Sequence, residues 1–111
     1  MTNPKFVIFK SPVNSQYYYH LKSINGEKIL SGEGYTTKQS CLNGIASVKK
    51  NAPYDSRYER KDAHSNYTFN LKAENGERIG RSENYTTSSS RENGISAVKR
   101  DAPNAPIEDL S

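Results

Sequence analysis

The chain contains few residues that could perform covalent or acid–base chemistry. Cys41 is the only cysteine, and His20 and His64 are the only histidines. A catalytic nucleophile needs a base beside it and a metal ion needs several ligands at a defined spacing, and these three residues form neither pattern. The Gly-Glu-Gly segment at 32–34 lacks the flanking residues of a phosphate-binding loop. We therefore expect no enzymatic activity, no cofactor and no metal site.

A second kind of candidate site comes from an internal repeat. Residues 21–53 recur at 71–103 without a gap, and 18 of the 33 aligned positions are identical. A unit of about 50 residues is close to the lower limit for independent folding, so we expect the two copies to share one hydrophobic interior. We predict a single domain over 1–111, with repeats at about 1–53 and 54–103 and a short segment, 104–111, that could add a strand.

The repeat duplicates one acidic and aromatic pair, Glu33 with Tyr35 and Glu83 with Tyr85. Two symmetric catalytic sites are conceivable here, and they would require a concave pocket beside each pair. The simpler interpretation is that each tyrosine packs at the start of a helix, while each glutamate lies near the positive end of the helix dipole. We favour the simpler interpretation.

The strands that carry candidate binding residues can be phased by comparing the copies. Residues 6–10 are rich in strand-forming side chains, whereas their counterpart at 57–61 is polar. Residues 17–22 begin with three tyrosines and show no alternation, but their copy at 67–72 alternates apolar and polar residues. The same phase in both copies places Tyr17, Tyr19 and Leu21 inward. It directs outward Tyr18, His20 and Lys22 in the first copy, and Thr68, Asn70 and Lys72 in the second.

The turn after each of these strands contains Asn-Gly, at 25–26 and 75–76. This dipeptide predicts a hairpin with a two-residue type I′ turn, in which both residues have positive φ. A third strand then covers about 27–32 and 77–82.

A helix follows the third strand of each copy. Thr36 and Thr37 are both candidate N-caps, and Gln39 follows Thr36 at the spacing of a capping box. The helix ends near 51–53, where a proline disfavours helical geometry in the residue before it. Gly44 recurs as Gly94, which predicts close approach to the sheet or to the other helix.

Two neighbouring positions of the helix differ between the copies: Cys41 and Leu42 of the first correspond to Arg91 and Glu92 of the second. A position that accepts glutamate in one copy predicts exposure in both, so we expect Leu42 to be exposed or to make a contact peculiar to the first copy.

Together these elements predict an α+β fold of two β-β-β-α repeats, forming one mostly antiparallel sheet with both helices packed on one face. The Asn-Gly-Glu hairpin and three further segments carry a resemblance to a known family: 35–38 (Tyr-Thr-Thr-Lys), 44–49 (Gly-Ile-Ala-Ser-Val-Lys) and 69–73 (Phe-Asn-Leu-Lys-Ala). They resemble the YegP-like family of small bacterial proteins, also called DUF1508 or UPF0339, in tandem-repeat form. The resemblance implies duplicated β(3)-α-β units whose C-terminal strands, near 57–61 and 107–110, are exchanged between the repeats. The family implies no established activity.

Charge and composition limit the classes of partner. The net charge is +4, with +5 in residues 1–53 (seven Lys, two Glu) and −1 in 54–111 (nine Lys and Arg, ten Asp and Glu). The lysines are scattered along the sequence, which is more typical of a soluble surface than of a phosphate-binding face. No segment has the length and apolarity of a signal peptide or a membrane span, and a single cysteine favours a reducing compartment. We expect a cytoplasmic monomer.

Two hypotheses for function use the sheet surface that the helices leave open. The first is a protein-interaction module that meets protein partners through this face or through a sheet edge. The alternative is weak, sequence-tolerant binding of single-stranded nucleic acid, with Tyr18 as the stacking platform beside His20 and Lys22. The predicted binding face in both cases consists of Tyr18, His20, Lys22, Thr68, Asn70 and Lys72.

Overall fold

The strand alternation of both copies is realised in the computed structural model, which describes residues 3–111. The strands are β1 (Lys5–Lys10), β2 (Tyr17–Lys22), β3 (Lys28–Ser31), β4 (Tyr58–Ala63), β5 (Asn66–Lys72), β6 (Arg78–Arg81) and β7 (Ile107–Asp109). The helices are α1 (Lys38–Asn51) and α2 (Ser88–Asp101), and each is followed by a short 3₁₀ turn, at Asp55–Arg57 and Ala102–Asn104. No helix within residues 3–111 is both long and apolar enough to span a membrane.

The seven strands form one mixed sheet in the order β4-β5-β6-β3-β2-β1-β7. All neighbouring strands are antiparallel except β7, which runs parallel to β1. The strand that follows α1 pairs with β5 of the second repeat, and the strand that follows α2 pairs with β1 of the first. The predicted α+β fold and the exchange of C-terminal strands are therefore confirmed.

The two repeats meet where β3 and β6 pair at Ser31 and Arg81, which are equivalent residues of the two copies. A pseudo-twofold axis therefore passes through the sheet at this pair. Behind it, the buried hydroxyl of Tyr19 donates a hydrogen bond to the carbonyl oxygen of Ile79 in the other repeat. One apolar cluster between sheet and helices draws residues from both repeats, among them Phe6, Tyr19, Leu21, Ile45, Val48, Phe69, Leu71, Ile95 and Val98.

The first strands of the two copies align poorly in sequence because their connections differ in length. Lys10 pairs with Tyr17, and Asp62 pairs with Tyr67 at the equivalent register. Residues 11–16 therefore link the first pair and residues 63–66 the second, which is a difference of two residues. The polar character of β4 fits its position at the edge of the sheet.

The prediction of a type I′ turn is wrong. Gly26 and Gly76 have φ values of 83° and 88°, but no asparagine has positive φ in the part of the chain that the structure describes. The amide of Gly26 donates to the carbonyl of Ser23, and that of Ser23 donates to the carbonyl of Glu27. The loop is thus a type I turn closed by a glycine bulge, and a separate irregularity shifts the register of β2 and β3 between Leu21 and Lys22.

Each helix starts one residue later than the capping-box pattern suggested. The side chain of Thr37 accepts a hydrogen bond from the amide of Ser40, and Thr87 does the same with Ser90. The Thr36 and Gln39 capping box does not form, because Thr37 is the N-cap and the Gln39 amide group donates to Asn43 instead.

Gly44 is needed because a tyrosine lies against the helix. A Cβ atom at Gly44 would lie 2.8 Å from Cζ of Tyr35, and Gly94 has the same relation to Tyr85. The close approach that glycine predicted is therefore made by the tyrosine at the helix start, which links the two repeated motifs.

Of the two expectations for Leu42, exposure is wrong. Leu42 is half-buried and packs against the core, and Cys41 is fully buried. The equivalent Arg91 is also buried, and its guanidinium donates to the carboxylate of Asp62 and to Glu92. Glutamate is accepted at position 92 because the positive charges of Arg60 and Arg91 hold it.

Candidate functional site

The sheet face opposite the helices carries one row of side chains across six strands. Paired residues on neighbouring strands point to the same face, and the observed pairs run from β1 to β4 without interruption. We call this set the central row: Val7, His20, Ser31, Arg81, Asn70 and Glu59. Because the row crosses the pseudo-twofold axis, the two copies contribute three residues each. The three residues from one copy differ in chemistry from the three from the other.

The first copy places an aromatic patch beside this row, formed by Phe9, Tyr18 and His20. The rings of Phe9 and Tyr18 are stacked, with centroids 5.8 Å apart and an interplanar angle of 17°. The His20 ring lies 5.4 Å from Phe9. Tyr18 is also held at its hydroxyl, which accepts a hydrogen bond of 2.9 Å from Asn14, and it lies against Gly34. The ring is therefore packed between neighbours and is not a free platform.

The second copy carries polar residues at the equivalent positions, Lys61, Thr68 and Asn70, and Asn70 is already hydrogen-bonded. Glu59 accepts hydrogen bonds of 3.0 Å from Asn70 and 2.9 Å from Lys72. These bonds lower the pKa of the Glu59 carboxyl, with Lys72 as the larger cause. Thr68 pairs across the strands with Lys61.

Two ion pairs cross between the repeats on this face in a reciprocal arrangement. Arg78 contacts Glu33 at 2.6 Å, and the equivalent Lys28 lies 3.6 Å from Glu83. The first pair is close enough for a hydrogen bond and the second is not. Lys28 is therefore less firmly bound to its carboxylate than Arg78.

Two cations of the open face have no acidic partner among residues 3–111. They are Arg81, at the centre of the row, and Lys22, which pairs across the strands with Lys5 and Lys28. Burial and the ammonium groups of Lys28 and Lys22 lower the pKa of His20 below its usual value of 6.5. The Nε2 atom of His20 is buried without a hydrogen-bond partner. The first-copy half of the face thus has a positive potential.

Two shallow clefts meet at the pseudo-twofold axis. The larger, of about 460 Å³, is the polar cleft, and the other, of about 380 Å³, is the aromatic cleft. Lys28, Ser31 and Arg81 line both of them. Lys61, Thr68 and Asn70 complete one side of the polar cleft, whereas the whole aromatic patch lines the other. A ligand that follows the face would pass over Arg81 in either direction.

The six predicted residues all lie on the open face and are half-buried. The neighbouring residues that sequence reasoning missed are Phe9, Lys28, Ser31, Lys61, Arg78 and Arg81. Lys28 reaches this face because the three-residue loop pairs it with Lys22, a consequence that the Asn-Gly signal alone does not give, whereas Ser31 pairs with His20. Phe9 was missed because the phase of the first strands could not be read from copies with unequal connections.

The repeated acidic and aromatic residues are not brought together. Glu33 lines the aromatic cleft and is bonded to Arg78, whereas the hydroxyl of Tyr35 lies on the helix side of the sheet, against Gly44. Glu83 and Tyr85 are separated in the same way. Within residues 3–111, no group of three or more His, Cys, Asp or Glu side chains could hold a metal ion.

A model of the family described as "Domain of unknown function (DUF1508)" matches the chain twice, over residues 13–59 and 62–109. Among curated relatives, a UPF0339 protein encoded in the 5′ region of the ptx operon of Stutzerimonas stutzeri is 59% identical over 46 residues. The UPF0339 protein YegP of Escherichia coli strain K12 is 50% identical over 58 residues. These alignments cover 41% and 52% of this chain and the same shares of the relatives. The chain spans about half the length of the curated relatives it matches.

Two solution structures are similar to nearly the whole chain. A UPF0339 protein from Shewanella oneidensis has a TM-score of 0.90 at 40% identity, and the match covers 96% of this chain and 91% of that one. YegP from E. coli, described as a protein of unknown function, also has a TM-score of 0.90, at 42% identity over 99% of this chain and 95% of that one. These names state no activity, ligand or partner.

Proposed function

We propose that this chain, which belongs to the DUF1508 family, is a protein-interaction module. Its open sheet face would hold an extended acidic segment of a partner protein. One observation carries the proposal. Arg81 lies exposed at the centre of the face, lines both clefts and has no acidic partner within residues 3–111. The other arginine of the face, Arg78, is bound to Glu33.

The chemistry of the face favours an acidic ligand. An arginine fork binds a carboxylate through two parallel hydrogen bonds, and such charge-assisted bonds are about twice as strong as neutral ones. Lys22 and Lys28 lie beside each other and repel, so an added carboxylate would relieve this repulsion as well as pair with Arg81. The hydroxyl of Ser31 is a further polar group in the same row.

The dimensions of the face favour an extended ligand. Neighbouring strands lie about 4.8 Å apart, so the six strands of the central row span roughly 24 Å. An extended segment advances about 3.3 Å per residue, so about seven residues would cross the face. The two clefts provide the depth along this path.

Single-stranded nucleic acid is the second candidate, and the aromatic patch favours it. Stacking on a base requires an open ring face. Tyr18 is stacked on Phe9 on one side and lies against Gly34 on the other. Its ring would have to move before a base could stack on it, and we therefore place this candidate second.

The test is an NMR titration of the full chain, at low salt, with a deca-glutamate peptide and separately with a ten-nucleotide oligo(dT). Arg81→Ser gives position 81 the residue that the other copy carries at position 31, so the fold should accept it. We expect this substitution to weaken peptide binding about tenfold or more, because it removes about 1.5–3 kcal/mol of charge-assisted hydrogen bonding. Lys50→Ser, on the exposed end of α1, removes the same charge and should change the affinity less than twofold.

Two results would reject the proposal. One is a set of peptide-induced shifts that lies away from the central row. The other is an equal loss of affinity in Arg81→Ser and Lys50→Ser, which would show that net charge alone attracts the peptide. Binding of oligo(dT) without binding of the peptide would replace the proposal by the second candidate.

A further inference from the structure

The two outer edges of the sheet are protected in different ways. The free edge of β1 is covered by β7, whereas β4 has no strand on its outer side within the described residues. Unpaired strand edges are templates for pairing with other chains, so each edge needs protection. Comparison of the two edges shows which of them could accept a foreign strand.

The β4 edge is protected by charge. Arg91 donates to the carboxylate of Asp62, and Arg60 binds Glu92 at 2.9 Å and Asp55 at 2.9 Å. These five charged groups surround a strand whose middle residues are themselves charged. A segment that paired with β4 would have to displace or desolvate them, so this edge disfavours strand addition.

The β1 edge has no such charges in its centre, where residues 6–9 read Phe-Val-Ile-Phe. The Phe6 amide donates to the carbonyl of Pro106 at 2.8 Å, and the Leu110 amide donates to the carbonyl of Ile8 at 2.8 Å. The pairing with Ile107 and its two successors is parallel and regular. This edge accepts a parallel strand without rearrangement of β1.

β7 itself is held by few apolar contacts. All three of its residues are exposed, and the exposed fraction is 41% for Ile107 and 64% for the following Leu110. Its side chains are fixed mainly by two surface ion pairs, Lys5 with Glu108 at 3.2 Å and Lys38 with Asp109 at 2.9 Å. Surface ion pairs contribute little, so β7 belongs to the part of the structure that opens most readily.

From these contacts we infer that the β1 edge is a docking site for an extended segment of a partner protein, and that β7 occupies it as an intramolecular competitor. The partner segment would carry an apolar residue followed by two acidic residues. Phe6 would pair with the apolar residue, and Lys5 and Lys38 would bind the two carboxylates, as they now bind β7. This inference does not depend on Arg81, because β6, which carries Arg81, is separated from β1 by β3 and β2.

The competition sets the expected affinity. A strand tethered by a short linker acts at an effective concentration in the millimolar range, so a free peptide competes poorly against it. The apparent affinity for a partner is reduced by the fraction of molecules in which β7 is detached. A variant that weakens β7 should therefore bind the free peptide more tightly than the wild type does.

The experiment uses the full chain with Glu108→Lys and Asp109→Lys, which reverses both carboxylates of β7. The probe is a fluorescent peptide with the sequence of residues 105–111, measured by anisotropy and mapped by NMR. We expect the variant to bind this peptide at least tenfold more tightly than the wild type, with shifts along β1. A peptide with lysines in place of the two acidic residues should not bind. Adding Lys38→Glu to the variant should reduce binding again, whereas adding Lys50→Glu should not.

Hydrogen exchange of the wild-type chain gives an independent reading. The Leu110 amide should exchange much faster than the amides of β2, because local opening of β7 exposes it while the core remains folded. Equal protection of these amides would overturn the inference, as would shifts along β4 or no binding by the variant. Dimerisation of the variant without peptide would also overturn it, because the occupant would then be a second copy. Arg81→Ser should leave this binding unchanged, so failure of the edge inference can be distinguished from failure of the open-face proposal.

Discussion

The contact between Gly32 and Tyr19 offers a quantitative test of how the two repeats are joined. A Cβ atom at Gly32 would lie 2.5 Å from Cδ2 of Tyr19 and still nearer to Cε2 and Cζ. The ring cannot easily retreat, because it is 1% exposed and its hydroxyl donates to the carbonyl of Ile79 in the other repeat. The equivalent residues of the second copy are Ser82 and Phe69, where the serine hydroxyl accepts a hydrogen bond of 2.9 Å from the Phe69 amide.

Gly32→Ser therefore introduces the residue that the second repeat uses, but beside a tyrosine that is fixed across the repeat boundary. Overpacking of a well-filled core costs about 1–3 kcal/mol, and we expect the upper end because three ring carbons are overlapped. Tyr19→Phe alone should cost about 1 kcal/mol through the lost buried hydrogen bond. In the double variant the ring is no longer held by Ile79 and can turn as Phe69 does, so we expect a total loss of about 2 kcal/mol, less than the sum of the single losses.

Urea unfolding followed by far-ultraviolet circular dichroism would measure all three free energies of unfolding, since the chain has no tryptophan. Ser82→Gly is the control, and it should cost only about 1–2 kcal/mol because it removes the two hydrogen bonds of the Ser82 hydroxyl, with the Phe69 amide and the Glu83 carbonyl, and creates no overlap. Strictly additive losses in the double variant would refute the claim that the Tyr19 hydroxyl holds the ring over Gly32. A loss below about 0.5 kcal/mol for Gly32→Ser, within the range of ordinary surface substitutions, would refute the packing argument itself.

Further predictions concern the helix caps, the half-buried His20 and the buried Arg91. Thr37→Ala and Thr87→Ala should each lower the free energy of unfolding by about 1 kcal/mol, and unequal losses in urea unfolding would contradict their identical geometry. The lowered pKa of His20 means that the unfolded chain binds a proton that the folded chain does not. The resulting stability is present above pH 6.5 and is lost as the pH falls towards the folded-state pKa, so His20→Asn should flatten the plot of urea midpoint against pH in that range. Arg91→Met should cost about 1–2 kcal/mol in thermal unfolding, because it breaks the bond to Asp62 while keeping the apolar stem; a neutral result would show that this ion pair contributes nothing.

The sequence was sufficient where one copy could be compared with the other. The alternation of residues 67–72 fixed the phase of 17–22, and the recurrence of Gly44 as Gly94 signalled a close contact. Both inferences concern local geometry that the copies share. The family resemblance added the exchange of terminal strands, which no periodicity would have indicated because it depends on pairing between distant segments.

The rest could not be predicted because it arises where the copies differ or meet. The central position of Arg81 follows from the pairing of β3 with β6. Comparing the two copies in sequence shows only that Arg81 corresponds to Ser31, and it does not show that these two residues meet. The burial of Arg91 contradicts the usual exposure of arginine, and it depends on Asp62 arriving from β4. The Asn-Gly loop has three residues rather than two, which changes the turn type and places Lys28 on the open face, opposite Lys22.

The exchange of strands leaves the two edges of the sheet different. The segment after α1 becomes β4, which takes the place in the second repeat that β1 takes in the first. Because β4 serves both as the strand after α1 and as the first strand of the second repeat, two repeats give seven strands rather than eight. The segment after α2 returns to β1. One edge is thus covered by β7, and the other has no covering strand within residues 3–111. The charged network around Arg60 and Arg91 lies at the edge that the topology leaves uncovered, and the apolar β1 lies at the edge that it covers. The divergence of the two copies at their outer strands is therefore a consequence of joining them into one sheet.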